Sequence, residues 1–217
     1  ERLAFIRKTY IHLAGAVVFF VLLMFSHFQS GLAQAVIPLM TSSGMAWMLT
    51  LGLFMAVGWG ADYLARSSHS TRWQYAGLGI YVFAESILFL PLMLVATQYS
   101  SPDVLPSAAV TTLSVFSVLT GYVFVTKKDF SFMGPFLAIA GMGAFALIGI
   151  SMLFGFNLGV FFGVAMVILA AGYIVYYTSN ILHHYNTNQH VAASLALFAS
   201  LALLFYYVLQ LFVMGDQ

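Results

Sequence analysis

Glu85 is the residue in this sequence whose type and position most clearly suggest chemistry. It stands about 12 residues, or roughly 18 Å of helix, inside a long apolar stretch. No Lys or Arg lies at a matching depth in any other apolar stretch. Glu85 is therefore expected to be protonated, or held by hydroxyl groups and water. It is a candidate for sensing protons or passing cations. The alternative is a neutral Glu that hydrogen-bonds another helix, with Tyr81 on the same face one turn earlier.

Other polar residues in apolar surroundings have simpler explanations. Asp62 is expected to lie near a membrane surface and pair with Arg66 four residues later. Five other residues carry hydroxyl or amide groups, which commonly join membrane helices through hydrogen bonds. They are the patch Thr178, Ser179 and Asn180, and also Ser200 and Gln210. Three histidines share one polar connection, His183, His184 and His190. They lack a neighbouring carboxylate or thiol, so they are expected to be interfacial and no metal site is predicted.

Composition removes most other functions. The chain has 217 residues, of which 62% are hydrophobic and 6% charged, which excludes a soluble domain and a disordered chain. Seven basic against six acidic residues cannot form a nucleic-acid surface. Hydrolase motifs such as Gly-x-Ser-x-Gly and His-Glu-x-x-His do not occur, so no enzymatic activity and no cofactor are expected. The last apolar stretch has no Lys to hold retinal.

The elements that position these residues are predicted membrane helices. A span needs about 20 mostly apolar residues. The stretches that qualify predict an all-α integral membrane protein with seven spans in a single domain, residues 1–217. The first is expected to be a membrane helix rather than a signal peptide. Pro91 is expected to kink the third. The predicted spans are Tyr10–Phe28, Met45–Ala65, Trp73–Thr97, Pro106–Thr126, Phe132–Phe154, Leu158–Leu182 and Val191–Met214.

Charge distribution predicts the orientation. With the N-terminus in the cytoplasm, all seven basic residues fall on the cytoplasmic side, and the C-terminus lies outside. The polar loop from Arg66 to Arg72 and the loop at Lys127 are then cytoplasmic. Small residues at Gly155, Gly159 and Gly163 are expected to allow close helix packing at the start of the sixth span.

Three segments resemble the transmembrane Bax inhibitor motif family. The stretch from Lys127 to Gly134 is similar to a family signature that opens the fifth helix. The end of the sixth span, from Tyr177 to Ile181, and the seventh, from Ala193 to Leu201, also fit, and resemble most the bacterial YccA branch. The signature residues are Lys128, Asp129, Phe130, Ser131, Phe132 and Gly134.

This resemblance implies a fold of six helices around a central seventh. In well-described members, two paired Asp residues sense pH and gate a calcium leak. Here the matching positions hold Tyr177 and Ser200, so that mechanism does not transfer directly. Glu85 is a candidate substitute acid, and these three residues are the candidates for ion or proton sensing.

Two functions follow as expectations. The first is a regulator in the bacterial inner membrane that modulates a membrane protease of the FtsH type, or a stress response, through protein contacts. The second is a pH-sensitive calcium or proton leak channel. An accessory subunit of a larger complex is a weaker third possibility. The expected partners are the lipid bilayer, FtsH, and calcium or protons.

Overall fold

The structure, a computed structural model, describes residues 1–66 and 70–216. These residues form helices and connections, with no strand among them. The middle of the polar loop that begins at Arg66, residues 67–69, lies outside the described residues. The helices are α1 Arg2–Gln29, α2 Leu32–Thr41, α3 Gly44–Ala65, α4 Thr71–Leu88, α5 Leu90–Gln98, α6 Val104–Thr126, α7 Gly134–Phe154, α8 Gly159–His183 and α9 His190–Asp216, with a short 3₁₀ turn at Ser131–Met133.

Six of these helices are long and apolar enough to cross a membrane, and the count becomes seven if α4 and α5 form one broken span. The break follows from Pro91, whose ring nitrogen cannot donate to the carbonyl group four residues earlier. Helix α4 ends at Leu88, α5 begins at Leu90, and the pair is bent by 49°. The expected kink is therefore confirmed. Helix α1 begins at Arg2, eight residues before the predicted span, because its polar first turns continue the same helix.

Helix α2 is an element that the sequence analysis did not predict. It has 10 residues, too few to cross a membrane, so a search for long apolar stretches passes over it. Gly31 precedes it with a φ of +81°, a left-handed conformation that glycine adopts without strain. Ala33 and Met40 are buried in the contact of α2 with α1 and α3. The connection after the first span is thus a packed helix rather than a loop.

The residues divide into two compact units. Unit 1 comprises Glu1–Pro91 and Asn186–Phe198, and α3 with α4 form its most extensive helix pair among the described residues. Gly77 permits that packing, since a Cβ there would overlap the Ala61 carbonyl oxygen and lie 2.8 Å from the Ala65 nitrogen. The start of α9 contacts α1 at the buried Ser194 hydroxyl group, which lies 2.9 Å from the Thr9 carbonyl oxygen and 2.6 Å from the His190 carbonyl oxygen of its own helix. These two carbonyl oxygens share its one proton.

Unit 2 comprises Leu92–Tyr185 and Ala199–Gln217. Helices α6 and α8 are its most extensively packed pair among the described residues, and α7 also packs on α8. A buried apolar cluster joins α7 and α8 to the later part of α9, and its members are Leu137, Ala144, Met166, Leu169 and Tyr207. Among the six single-helix candidate spans of the described residues, α9 is the most buried, with 56% of its 18-residue apolar stretch inside the protein against at most 28% for the other five.

The glycine pattern near α8 differs from its prediction. Gly155 follows α7 with a φ of +71°, and Gly159 begins α8 with a φ of +67°, so both glycines shape the turn. Only Gly163 makes a close helix contact, since a Cβ there would lie 2.8 Å from a methyl group of Leu211 in α9. The pattern therefore combines a tight connection with a single packing glycine.

Candidate functional site

Glu85 lies on the buried face of α4 with only 5% of its surface exposed. Tyr81, one helical turn earlier, forms a side-chain hydrogen bond with the Glu85 carboxyl group. The Tyr81 ring packs against Phe54 of α3 and Phe198 of α9, with ring centroids 5.7 Å and 6.2 Å away. Aromatic contacts on two sides fix the hydroxyl group, so the carboxyl group meets a positioned donor.

His27 and Ser86 form a second buried polar contact in the same unit. The His27 Nε2 lies 2.9 Å from the Ser86 hydroxyl oxygen, and that hydroxyl donates its only proton to the Phe83 carbonyl oxygen at 2.7 Å. His27 Nε2 must therefore carry a hydrogen and donate it. His27 is 5% exposed, so the pair is buried inside the protein. The sequence carried little signal for this pair, because 59 residues separate its members.

The Glu85 arrangement suits proton chemistry better than tight binding of calcium. A carboxyl group beside a neutral hydroxyl group can gain or lose a proton without breaking an ion pair. Ca²⁺ commonly takes about 6–8 oxygen ligands, and one carboxyl group supplies at most two. Any cation passing Glu85 would need its remaining oxygen ligands from water.

The signature segment forms a folded loop against the end of α8, which we call the signature clamp: residues Lys127 to Ser131 with Ser179, His183 and His184. Lys127 ends α6 with a φ of +50°, which turns the chain sharply out of the helix. The Asp129 carboxylate then accepts the backbone N–H of Ser131 at 2.9 Å. This short-range hydrogen bond shapes the entry into the 3₁₀ turn and α7.

Helix α8 provides the other half of the signature clamp. The fully buried Ser179 accepts the backbone N–H of Phe130 at 2.8 Å. His183 Nε2 lies 3.1 Å from the Lys127 carbonyl oxygen, and His184 Nε2 lies 2.9 Å from Asp129 Oδ2. Every contact joins the end of α8 to the loop after α6, so the signature holds two helix ends together.

Electrostatics in the signature clamp favour the charged form of Asp129. The backbone N–H of Ser131, the Ser131 hydroxyl group and then His184 stabilise the carboxylate, and together they hold the pKa of Asp129 well below its usual range. Asp129 is therefore ionised throughout the neutral range. A carboxylate in that state attracts the His184 ring most strongly when the ring is protonated.

The remaining signature residues have distinct surroundings. Lys128 is exposed, Phe132 is 65% exposed, and Phe130 packs its ring 6.2 Å from that of Tyr122 in α6. Gly134 begins α7 where a Cβ would lie 2.9 Å from the Tyr176 hydroxyl oxygen, so a larger residue would push α7 and α8 apart. Glycine is needed here for close approach rather than for an unusual φ.

The other predicted site residues lie in unit 2. Tyr177 stacks on Tyr173 at 6.1 Å with the rings nearly parallel, and Ser200 is buried in α9. Thr178 is fully buried, whereas the carbonyl oxygen of Asn180 accepts the backbone N–H groups that end α8. Glu85 belongs to unit 1, so the predicted sensing residues are divided between the units.

The histidines do not assemble a metal site within residues 1–66 and 70–216, where no group of three potential ligands occurs. His183 and His184 belong to the signature clamp. His190 lies in unit 1, with its ring 5.0 Å from that of His12. His12 in turn contacts the Tyr75 hydroxyl at 2.8 Å.

The predicted pair between Asp62 and Arg66 is confirmed, with 2.7 Å between Oδ2 and Nε.

These features define a multi-pass α-helical membrane protein. Apolar side chains cover the outside of its long helices, as lipid requires: Trp59 is 72% exposed and Phe161 is 92% exposed. The chain belongs to the family described as "Inhibitor of apoptosis-promoting Bax1", whose model matches residues 2–217. The family predicted from the sequence signature is therefore confirmed.

Relatives occur in plants, fungi and bacteria. The chain is 32% identical to Protein LIFEGUARD 4 of Arabidopsis thaliana over 177 residues, which cover 79% of this chain and 69% of that protein. It is 31% identical to Bax inhibitor 1 of Schizosaccharomyces pombe over 121 residues, 54% of this chain and 44% of that protein. It is 35% identical to an uncharacterised protein of Pseudomonas aeruginosa over 116 residues, 51% of this chain and 50% of that protein.

Proposed function

We propose that this chain is a pH-sensitive leak for protons or small cations, with Glu85 as its titrating group. The observation that carries the proposal is the buried Glu85 carboxyl group and its hydrogen bond to Tyr81 in the apolar helix α4. Ionisable groups at such depth are costly and are retained mainly where they act on ions or protons. A single acid favours protons or a partly hydrated cation over tightly bound calcium.

Flux through reconstituted protein tests the proposal. Proton and Ca²⁺ flux would be measured in proteoliposomes at pH 6 and pH 8, for the unchanged protein, Glu85→Gln and Tyr81→Phe. Glu85→Gln keeps the shape but cannot ionise, so we expect it to abolish the difference between the two pH values. Tyr81→Phe removes the donor and should alter the pH response while flux persists.

A matched control separates the role of Glu85 from a general loss of charge. Asp62→Asn removes an acid from the surface of the same unit, where it pairs with Arg66. It should leave flux and pH response unchanged. Flux in Glu85→Gln that equals flux in the unchanged protein at both pH values would remove Glu85 from the mechanism.

The second candidate is regulation of a membrane protease of the FtsH type, or of a stress response, through protein contacts. It is favoured by the residues at positions 177 and 200, a tyrosine and a serine, which leave the chain without the paired acids of calcium-conducting members. Resemblance to the YccA branch, together with the bacterial relative, supports a place in the bacterial inner membrane. If the protein purified from native membranes never enriches a protease above unrelated membrane proteins, this candidate fails.

Both candidates share one arrangement. We propose seven spans in a single domain, six around α9, with the N-terminus in the cytoplasm and the C-terminus outside. The burial of α9 supports this arrangement, and so does the short break between α4 and α5, which together are long and apolar enough for one broken span. We propose no enzymatic activity. The names of the relatives speak of inhibiting Bax or cell death in those proteins, and a role in stress tolerance is the corresponding proposal here.

A further inference from the structure

Two groups of threonine hydroxyl groups in the helices of this protein differ in their hydrogen-bond partners. In the first group the hydroxyl donates to the carbonyl oxygen four residues earlier, at 2.8–3.0 Å. This contact is the local way for a hydroxyl group to find a partner in lipid. The members of this group are Thr9, Thr41, Thr50, Thr97 and Thr126.

The second group consists of Thr112 and Thr120 in α6 and Thr178 in α8. Their hydroxyl oxygens are buried and have no hydrogen-bond partner anywhere in the described chain. Thr112 is 2% exposed and Thr178 is fully buried. Both helices belong to unit 2, where they pack together. These hydroxyl groups do not donate to carbonyl groups of their own helices, so each is free to hydrogen-bond a water molecule.

Thr112 lies near the end of unit 2 that carries an acidic groove. The groove is lined by Asp103 and Ser107 at the start of α6 and by Leu211 and Asp216 near the end of α9. Thr112 follows Ser107 by about 7 Å along α6. The buried amide oxygen of Gln210, the residue before Leu211, likewise has no partner in the part of unit 2 that the structure describes. Two buried oxygen atoms without a partner thus lie within about two helical turns of residues that line the groove.

Thr120 and Thr178 lie near the opposite end, beside the signature clamp. Thr178 precedes Ser179, which binds the loop that follows α6, so both threonines are close to the same helix ends. Phe116 occupies the buried face of α6 between Thr112 and Thr120 and is 8% exposed. The two threonines of α6 are about 12 Å apart along the helix.

We infer that unit 2 is hydrated from both ends, with water bound at Thr112 and Gln210 on one side and at Thr120 and Thr178 on the other. Phe116 separates the two hydrated regions. Water supplies partners for buried polar atoms in this way in many proteins. Hydroxyl and amide oxygen atoms line both regions. They can bind water and cations that prefer oxygen ligands, but they do not favour an apolar ligand.

Accessibility of introduced thiols tests this inference directly, because the chain contains no cysteine. Thr112→Cys, Thr120→Cys and Thr178→Cys would be labelled in proteoliposomes with a charged, membrane-impermeant methanethiosulfonate. The thiolate forms in water, so we expect these variants to react about tenfold or more faster than a thiol that faces lipid. Thr112→Cys should react from the side of Asp216, and the other two from the side of Lys127.

Two control variants lie on the same helix. Val118→Cys and Leu113→Cys are at similar depth but face outward, since Val118 is 71% and Leu113 53% exposed. Both should react slowly from either side. Reaction of the threonine variants at the rate of these two controls would overturn the inference.

Valine variants provide a second readout that does not depend on labelling. An unpaired hydroxyl group in a dry interior is unfavourable, so Thr112→Val and Thr178→Val would raise the unfolding temperature if these sites were dry. If water is bound there, the same variants strand that water and lower the unfolding temperature. A rise in both variants overturns the inference. Neither readout measures flux, so failure here leaves the proposed role of Glu85 untouched.

Discussion

Asp129 shows how one exposed residue can organise a loop. It turns the chain locally through Ser131 and reaches the end of α8 through His184. The same carboxylate therefore serves a contact between neighbours in sequence and one between residues 55 positions apart. The signature motif identifies the residue, but only the second contact explains why it must be an acid.

Replacing Asp129 has a consequence that depends on pH. The pKa of Asp129 is lowered in the folded protein by the Ser131 backbone N–H, the Ser131 hydroxyl group and His184. The ionised Asp129 side chain therefore stabilises the folded protein. This contribution is complete above the unfolded-state pKa of about 4 and is lost as the pH falls below that value. We expect Asp129→Asn to lower the unfolding temperature in detergent at pH 7, and the difference from the unchanged protein to narrow between pH 4 and pH 3.

The control for this prediction is Asp103→Asn. Asp103 is also exposed and precedes a helix, but its side chain makes no capping hydrogen bond to α6. Its replacement should change the unfolding temperature little at either pH. A constant difference between Asp129→Asn and the unchanged protein from pH 7 to pH 3 would contradict the linkage.

At the scale of the elements, α3 and α4 show that close packing depends on one glycine. A Cβ at Gly77 would meet backbone atoms of α3, which no side-chain rotation can relieve, whereas a Cβ at Gly79 has open space. We expect Gly77→Ala to lower the free energy of unfolding by about 2–3 kcal/mol, as overpacking commonly does.

Gly79→Ala is the matched control in the same helix. It should be neutral or stabilise by up to about 1 kcal/mol, because alanine favours helix over glycine. Unfolding of both variants in a graded series of denaturing detergent gives the comparison. Equal effects of the two substitutions would show that α3 and α4 are not packed this closely.

At the scale of the whole molecule, the charge distribution predicts sidedness. Helix α6 has 23 residues, about 34 Å of helix, which exceeds the roughly 30 Å of a bilayer core. Asp103 and Lys128, which flank α6, should therefore face opposite sides. In intact cells, an impermeant thiol reagent should label Asp103→Cys and should label Lys128→Cys only after lysis. Labelling of both without lysis would contradict the proposed orientation.

The sequence by itself determined the membrane class, six of the long apolar helices, the kink at Pro91 and the family. These features depend on local quantities: the length of an apolar run, a ring without an N–H, and a short signature. A span has nearly the same hydropathy whatever it packs against. Spans can therefore be predicted from the sequence without knowing which helices lie beside them. It also singled out Glu85 and Tyr81, since a spacing of four fixes a shared helix face.

Only the tertiary structure decided which residues meet. His27 hydrogen-bonds Ser86, and Ser179 accepts a hydrogen bond from the Phe130 backbone. Three buried threonine hydroxyl groups lack the hydrogen-bond partner that other threonines have. The structure also shows that the connection after α1 contains a packed helix. Of the three glycines near α8, Gly163 packs closely against another helix, whereas Gly155 and Gly159 lie in a turn. Each outcome depends on the register between helices that are distant in sequence. That register is set by the packing of many side chains together, which no local pattern encodes.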